Sequence, residues 1–107
     1  MGIIVNETEM FQEWLSKLKK KDNPKYSKII SRLRRLRTSG HFGDKKQIDD
    51  HLFELRGLGR HVFRIYYVHE SENTILALTG GDKSTQKEDI LKAKELIREL
   101  TEDTDED

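Results

Sequence analysis

No cysteine occurs among the 107 residues, which excludes disulfides and thiolate metal sites. Nothing approaches the roughly 18 consecutive apolar residues of a membrane-spanning helix. The opening MGIIVNETEMF lacks a basic stretch followed by an apolar one and a small-residue cleavage motif, so no leader is expected. Histidines at 41, 51, 61 and 69 show no metal-ligand spacing, and neither metal nor cofactor is expected. Repeats are absent, and so is a second hydrophobic block. The expectation is one cytoplasmic domain over residues 1–99, followed by an acidic, disordered tail over 100–107.

What is present is charge, and its balance misleads. Twenty Lys/Arg face twenty Asp/Glu, for a formal net charge of zero. The closing ELTEDTDED holds six of the acids and no base, so the body of the chain is strongly basic. Residues 17–46 alone contain twelve Lys/Arg against Asp22 and Asp44. Such density suits a polyanion such as RNA, or an acidic protein partner. With six acids the tail is also a candidate to fold over the basic face.

Apolar spacing supplies the elements. An edge strand is expected over residues 2–5. A helix capped by Asn6 or Thr8 follows, with Met10, Phe11, Trp14, Leu15 and Leu18 along one face. Asn23 and Pro24 then read as a cap and first helical position. Tyr26, Ile29, Ile30, Leu33 and Leu36 form the buried stripe of this second helix, and Gly40 stops it. Beyond HFGD the period becomes two. Strands around Phe53–Arg56, Val62–Val68 and Thr74–Leu78 are joined closely enough to be antiparallel neighbours. One face packs on the helices, and the other carries Arg56, Arg64 and Tyr66 toward solvent. A GGDKST turn leads to a last helix with Ile90, Leu91, Ala93, Leu96 and Ile97 as its apolar positions. The fold class is α+β: N-terminal strand, helix hairpin, curved mainly antiparallel sheet and C-terminal helix.

Read in order, several segments resemble the addiction-module killer proteins, a HigB-like branch of the RelE/ParE toxin superfamily. They are Phe11 and Trp14, the basic helix ending in Gly40, FGD at 42–44, and ELR at 54–56. Arg64 and Tyr66 follow, then GGDKSTQ at 80–86, Asp89 with Ile90, and Ala93. The resemblance spans nearly the whole chain. It implies the toxin of a type II toxin–antitoxin system, a metal-independent endoribonuclease (mRNA interferase) that inhibits translation by cutting mRNA, free or on the ribosome. It also implies a cognate helix-turn-helix antitoxin of HigA type, operator DNA contacted only through the antitoxin complex, and no membrane partner.

The same resemblance places Arg64 at the catalytic strand arginine of RelE and Lys83 at a second RelE arginine. Arg56 is a third candidate for the phosphate. Metal-free RNA cleavage uses the 2′-hydroxyl as nucleophile, so the site must neutralise phosphoryl oxygens and move protons. Arginine's planar fork suits the first task. For the second, RelE's two strand lysines fall on Leu52 and Glu54, and its late tyrosine on or near Asp89. The remaining proton carriers are Glu54, His51, His61, Tyr66 and Asp89, of which His61 is the catalytic candidate. Arg32, Arg35, Lys45, Lys46 and Tyr66 are candidate RNA contacts.

Each of these residues also has an architectural reading. Arg56 pairs with Glu54 or Asp82, Lys83 is a solvated loop residue, and Tyr66 packs in the sheet. Gly80 and Gly81 serve backbone geometry, Asp82 orients its loop, and Ser84 caps the last helix. Rival functions are a non-enzymatic ParE-like inhibitor of DNA gyrase, a plain nucleic-acid-binding module, and a degenerate toxin that only binds.

Overall fold

Thr8 opens α1 (Glu9–Lys21), its Oγ1 accepting the Phe11 amide at 3.0 Å. The same hydroxyl donates to the Leu78 carbonyl at 2.6 Å, so one side chain both caps the helix and fastens it to a strand. Lys19, Lys20 and Lys21 sit in the last turn, where they complement the helix dipole. Asp22 ends α1 through its amide, which donates to Leu18, and begins α2 (Asn23–Ser39) through its carboxylate, which accepts the Lys25 amide at 3.2 Å. The expected Asn23 cap is therefore corrected by one residue. Aspartate caps as well as asparagine, and Pro24 still falls in the first turn, where its missing N–H is harmless. Gly40 closes α2 at φ 75°, a left-handed conformation that favours glycine.

This computed structural model describes residues 1–105, with side chains to residue 102. The remaining elements are β1 (Ile4–Glu7), β2 (Lys45–Gln47), β3 (Phe53–Gly57), β4 (Phe63–Ser71), β5 (Thr74–Gly81) and α3 (Gln86–Asp105). The sheet order is β1-β5-β4-β3-β2, antiparallel except for β1, which pairs parallel to β5. The α+β architecture expected from the sequence is the one observed. The strand β2 was not expected: it is three residues long, wholly exposed, and carries no alternation. Gly80 and Gly81 lie inside β5 rather than in a turn after it. The tail expected over residues 100–107 lies partly outside the described residues, and within them α3 continues to Asp105.

Both faces of the sheet are covered. Phe11 and Leu15 of α1 and Ile29, Leu33 and Leu36 of α2 pack on Leu55, Phe63, Ile65, Tyr67, Ile75 and Ala77. Burial of each such large side chain contributes about 1.5–3 kcal/mol. On the opposite face α3 lays Ala93, with Ile90, Leu96 and Ile97, over Leu52, Tyr66 and Leu78. Tyr66 is thus fully buried instead of facing solvent. The alternation that placed it beside Arg64 was right, but α3 covers that end of the face. Leu91 is 67% exposed, because a step of one residue turns it about 100° off the packed stripe.

Candidate functional site

The strand register places Arg56 directly opposite Arg64, and Arg64 opposite Gly81. Three adjacent strands therefore set the two arginines and the β5 terminus in one row, on the face α3 shares. Glu54, two residues before Arg56, points the same way and is fully buried. Its Oε1 accepts from Arg64 Nη1 at 2.9 Å and lies 3.9 Å from Arg56 Nε, while Oε2 accepts from Gln86 Nε2 at 3.2 Å. Arg56 Nη2 donates to Asp44 Oδ1 at 3.0 Å. Arg56 therefore pairs with Asp44 and approaches Glu54; Asp82, the other expected partner, is engaged elsewhere. The arginine side chains are 31% (Arg56) and 13% (Arg64) exposed, so Arg56 is the more open.

Asp82 caps a single 3-10 turn (Lys83–Thr85), its Oδ1 accepting the amides of Ser84 and Thr85. Those bonds hold its carboxyl below the ordinary value, led by the hydroxyl donated from Ser84. Ser84 thus serves Asp82 and does not cap α3. Lys83 stands exposed on this turn, two residues beyond the Gly81–Arg64 pair, with its ammonium in no ion pair among the described residues. Thr85 Oγ1 donates to Asp89 Oδ2 at 2.5 Å, and burial raises the Asp89 carboxyl above its ordinary value. The glycines before the turn are required by close approach: a Cβ on Gly81 would meet Asp89 Oδ2 at 1.9 Å, and one on Gly80 would meet the Trp14 ring at 2.4 Å.

The other candidates fall at different places. His61 is exposed in the loop between β3 and β4, at φ 58°, a left-handed conformation that histidine tolerates better than most residues. Among the described residues, no hydrogen bond or ion pair joins it to the arginine cluster. Arg32 donates from Nε to the Phe42 carbonyl and from its two Nη atoms to the carbonyls of Arg56 and Asp44, at 2.8–2.9 Å. It thereby clamps α2 to the 42–44 turn and to β3. Arg35 is exposed beside a shallow groove with Lys28 and Ser31. Lys45 holds its ammonium 4.4 Å from the Phe42 ring centre, and Lys46 is exposed on β2. The Tyr66 hydroxyl is buried near Glu54 and Asp89, and that burial pushes it far up from its ordinary value.

In the sequence Gln86 reads only as the end of the GGDKSTQ segment and Lys28 only as part of the basic helix face. Gln86 supplies the second contact to Glu54 from the first residue of α3. Lys28 Nζ donates to the carbonyls of Leu58 and Arg60, pinning the loop that carries His61. Neither role has a sequence signal, since both depend on elements brought together only by folding.

Residues 13–100 match the model of a family described as phage-derived, Gp49-like protein. An uncharacterised protein of Haemophilus influenzae is 42% identical over 100 residues, covering 94% of this chain and 98% of its own. No solved structure matches the chain. Among the described residues, no helix is long and apolar enough to cross a membrane.

Proposed function

This chain belongs to the Gp49-like family of phage-derived proteins, a toxin-like family of addiction modules, and from that premise we propose that it cuts mRNA as the toxin of a type II toxin–antitoxin pair. The observation that carries the reading is the cross-strand pair Arg56 and Arg64 with Glu54 buried between them. Two planar forks held in one row, with Lys83 on the turn beside them, form a cradle for the oxygens of a single phosphate. In metal-free cleavage the RNA 2′-hydroxyl gives up its proton and bonds to that phosphorus while the P–O5′ bond breaks and the leaving 5′ oxygen takes a proton. The products are a 2′,3′-cyclic phosphate and a 5′-hydroxyl end, and the charge that develops on the phosphoryl oxygens is met by donors already in position. Glu54 does not touch substrate in this reading. It orients Arg64 and takes Gln86 with it, acting as a positioning residue. His61 is the proton carrier of the proposal, and it would have to reach the phosphate from the exposed loop between β3 and β4. The partner is a helix-turn-helix antitoxin of HigA type that holds the toxin inactive, and the complex alone engages operator DNA. The substrate is mRNA, met free or on the ribosome in the cytoplasm.

One observation favours the rival reading of a ParE-like gyrase inhibitor without catalysis: both arginines already pair with carboxylates, Arg64 with Glu54 and Arg56 with Asp44. The experiment that separates the two is induction of the toxin followed by parallel measurement of mRNA integrity and plasmid supercoiling. Cleaved mRNA with unchanged supercoiling is expected. Arg64→Lys keeps the charge and loses the fork, so cleavage is expected to fall about 10²-fold, the scale of removing one oxyanion donor. Growth arrest with intact mRNA would overturn the nuclease reading.

A further inference from the structure

A second basic feature lies outside the arginine row. An open cleft of about 620 Å³ runs between α1 and the end of β5, with α2 and α3 at its ends. Trp14 and Gly80 line its wall, and Lys17, Lys21, Lys25 and Lys92 stand around it. None of these four ammonium groups makes a hydrogen bond or ion pair among the described residues. Lys17 and Lys21 stand one turn apart on α1, and Lys25 follows at the start of α2 beyond the Asp22 break. One helical turn is about 5.4 Å, close to the step between successive phosphates in an extended single strand.

The cleft also contains carboxylates, and their engagement matters. Asp22 accepts the Lys25 amide at the α2 cap, and Asp82 accepts the Ser84 and Thr85 amides, with Lys25 close enough to help hold it ionised. Asp89 is 5% exposed and bonded to Thr85. Glu13 is the remaining carboxylate of the lining, and it is exposed. Three of the four acids are therefore engaged by backbone or hydroxyl donors, while Lys17, Lys21 and Lys92 are exposed and Lys25 is half-buried. Gly81 and Asp82 belong to both this cleft and the β5 terminus: Gly81 pairs with Arg64, and Asp82 precedes Lys83. The cleft thus borders the β5 terminus, next to the arginine row, although Arg56, Arg64 and Lys83 do not line it.

We propose that this cleft is a groove for single-stranded RNA, in which Lys17, Lys21, Lys25 and Lys92 meet backbone phosphates and the Trp14 ring stacks on a base. The proposal rests on the reading that RNA is the substrate, and it assigns the segment of strand adjoining the phosphate held at Arg56, Arg64 and Lys83. Single-stranded nucleic acid is bound by this pairing of a basic track with an aromatic platform.

Trp14 is the only tryptophan, so its fluorescence reports on the cleft directly. The test titrates the full chain with a 2′-O-methyl oligoribonucleotide, which cannot be cleaved, while anisotropy of a labelled oligonucleotide follows binding separately. Saturable change of Trp14 emission is expected, in step with anisotropy. For Lys17→Ala/Lys21→Ala, two exposed positions, the slope of log affinity against log salt should fall by about 1.4, or 0.7 per phosphate contact. Cleavage of unmodified RNA by this variant should show KM raised about tenfold with kcat kept. Binding by anisotropy with silent Trp14 emission and an unchanged salt slope would place RNA elsewhere and overturn the groove, whatever cleavage shows. Emission change and reduced slope without any cleavage would support the groove and sink the nuclease reading alone. A glutamate-rich peptide that changes the emission where the oligonucleotide does not would make the cleft a protein-binding site and overturn the proposal.

Discussion

Replacing Glu54 with glutamine tests the arginine row at its centre. The carboxylate is 0% exposed and Arg64 is 13% exposed, so the pair is buried, while Arg56 remains about one-third open to water. Removing one partner of a buried pair costs about 3–5 kcal/mol, because the other charge is left without compensation. Residual solvent at the arginines sets the expectation at the lower end, about 3 kcal/mol. Glutamine keeps an acceptor for Arg64 Nη1, but its amide nitrogen then faces the donating Nε2 of Gln86 unless Gln86 turns over. For a domain of this size, about 3 kcal/mol corresponds to a fall in Tm of roughly 12–24 °C. Thermal and urea denaturation followed by circular dichroism measure it. A double-mutant cycle with Arg64→Met isolates the pair, with a coupling of about 2–3 kcal/mol expected. A Glu54→Gln loss below about 0.5 kcal/mol, or strict additivity with Arg64→Met, would refute the buried pair as the organiser of the site.

Arg32 and Arg35 should separate by assay. Arg32→Ala deletes three bonds to carbonyls and is expected to cost about 2–4 kcal/mol in urea denaturation. Arg35→Ala, at an exposed position, should cost less than about 0.5 kcal/mol and change only RNA affinity. Asp89 gives a pH signature. Its folded pKa lies above the unfolded 3.8, so ionising it destabilises the fold as pH rises through the folded value. Asp89→Asn is therefore expected to melt above the wild type at pH 7, with the gap closing as pH falls toward 3.8. A gap that persists at acidic pH would contradict this.

The helix hairpin was legible because its stripes of Phe11, Leu15, Ile29, Leu33 and Leu36 repeat at the helical period and bury one face each. The α2 cap lies one residue before the expected Asn23, because Asp22 and Asn23 are adjacent and equally suited to the task. Glu54 reads in sequence as an ordinary polar strand position. Its burial depends on Arg64, ten residues on, and Gln86, thirty-two residues on, and no local pattern announces such partners. Alternation assigns Tyr66 its face but not what covers it, and α3 covers it. The lysine cleft was invisible for a similar reason: its walls come from four separate segments. The expectation that the acidic tail folds over the basic face of residues 17–46 falls partly on residues outside the described ones, and within them α3 runs on to Asp105.

The parallel pairing of β1 with β5 bears on when the molecule becomes competent. Thr8 binds the Leu78 carbonyl seventy residues away, and the first strand has no strand partner until β5 exists. A chain made from its N-terminus thus holds its opening segment in waiting through most of synthesis. Gln86, the final contact to Glu54, arrives only with the last helix. On the proposed reading, a toxin aimed at translation would assemble its working surface only as its own translation is nearly complete.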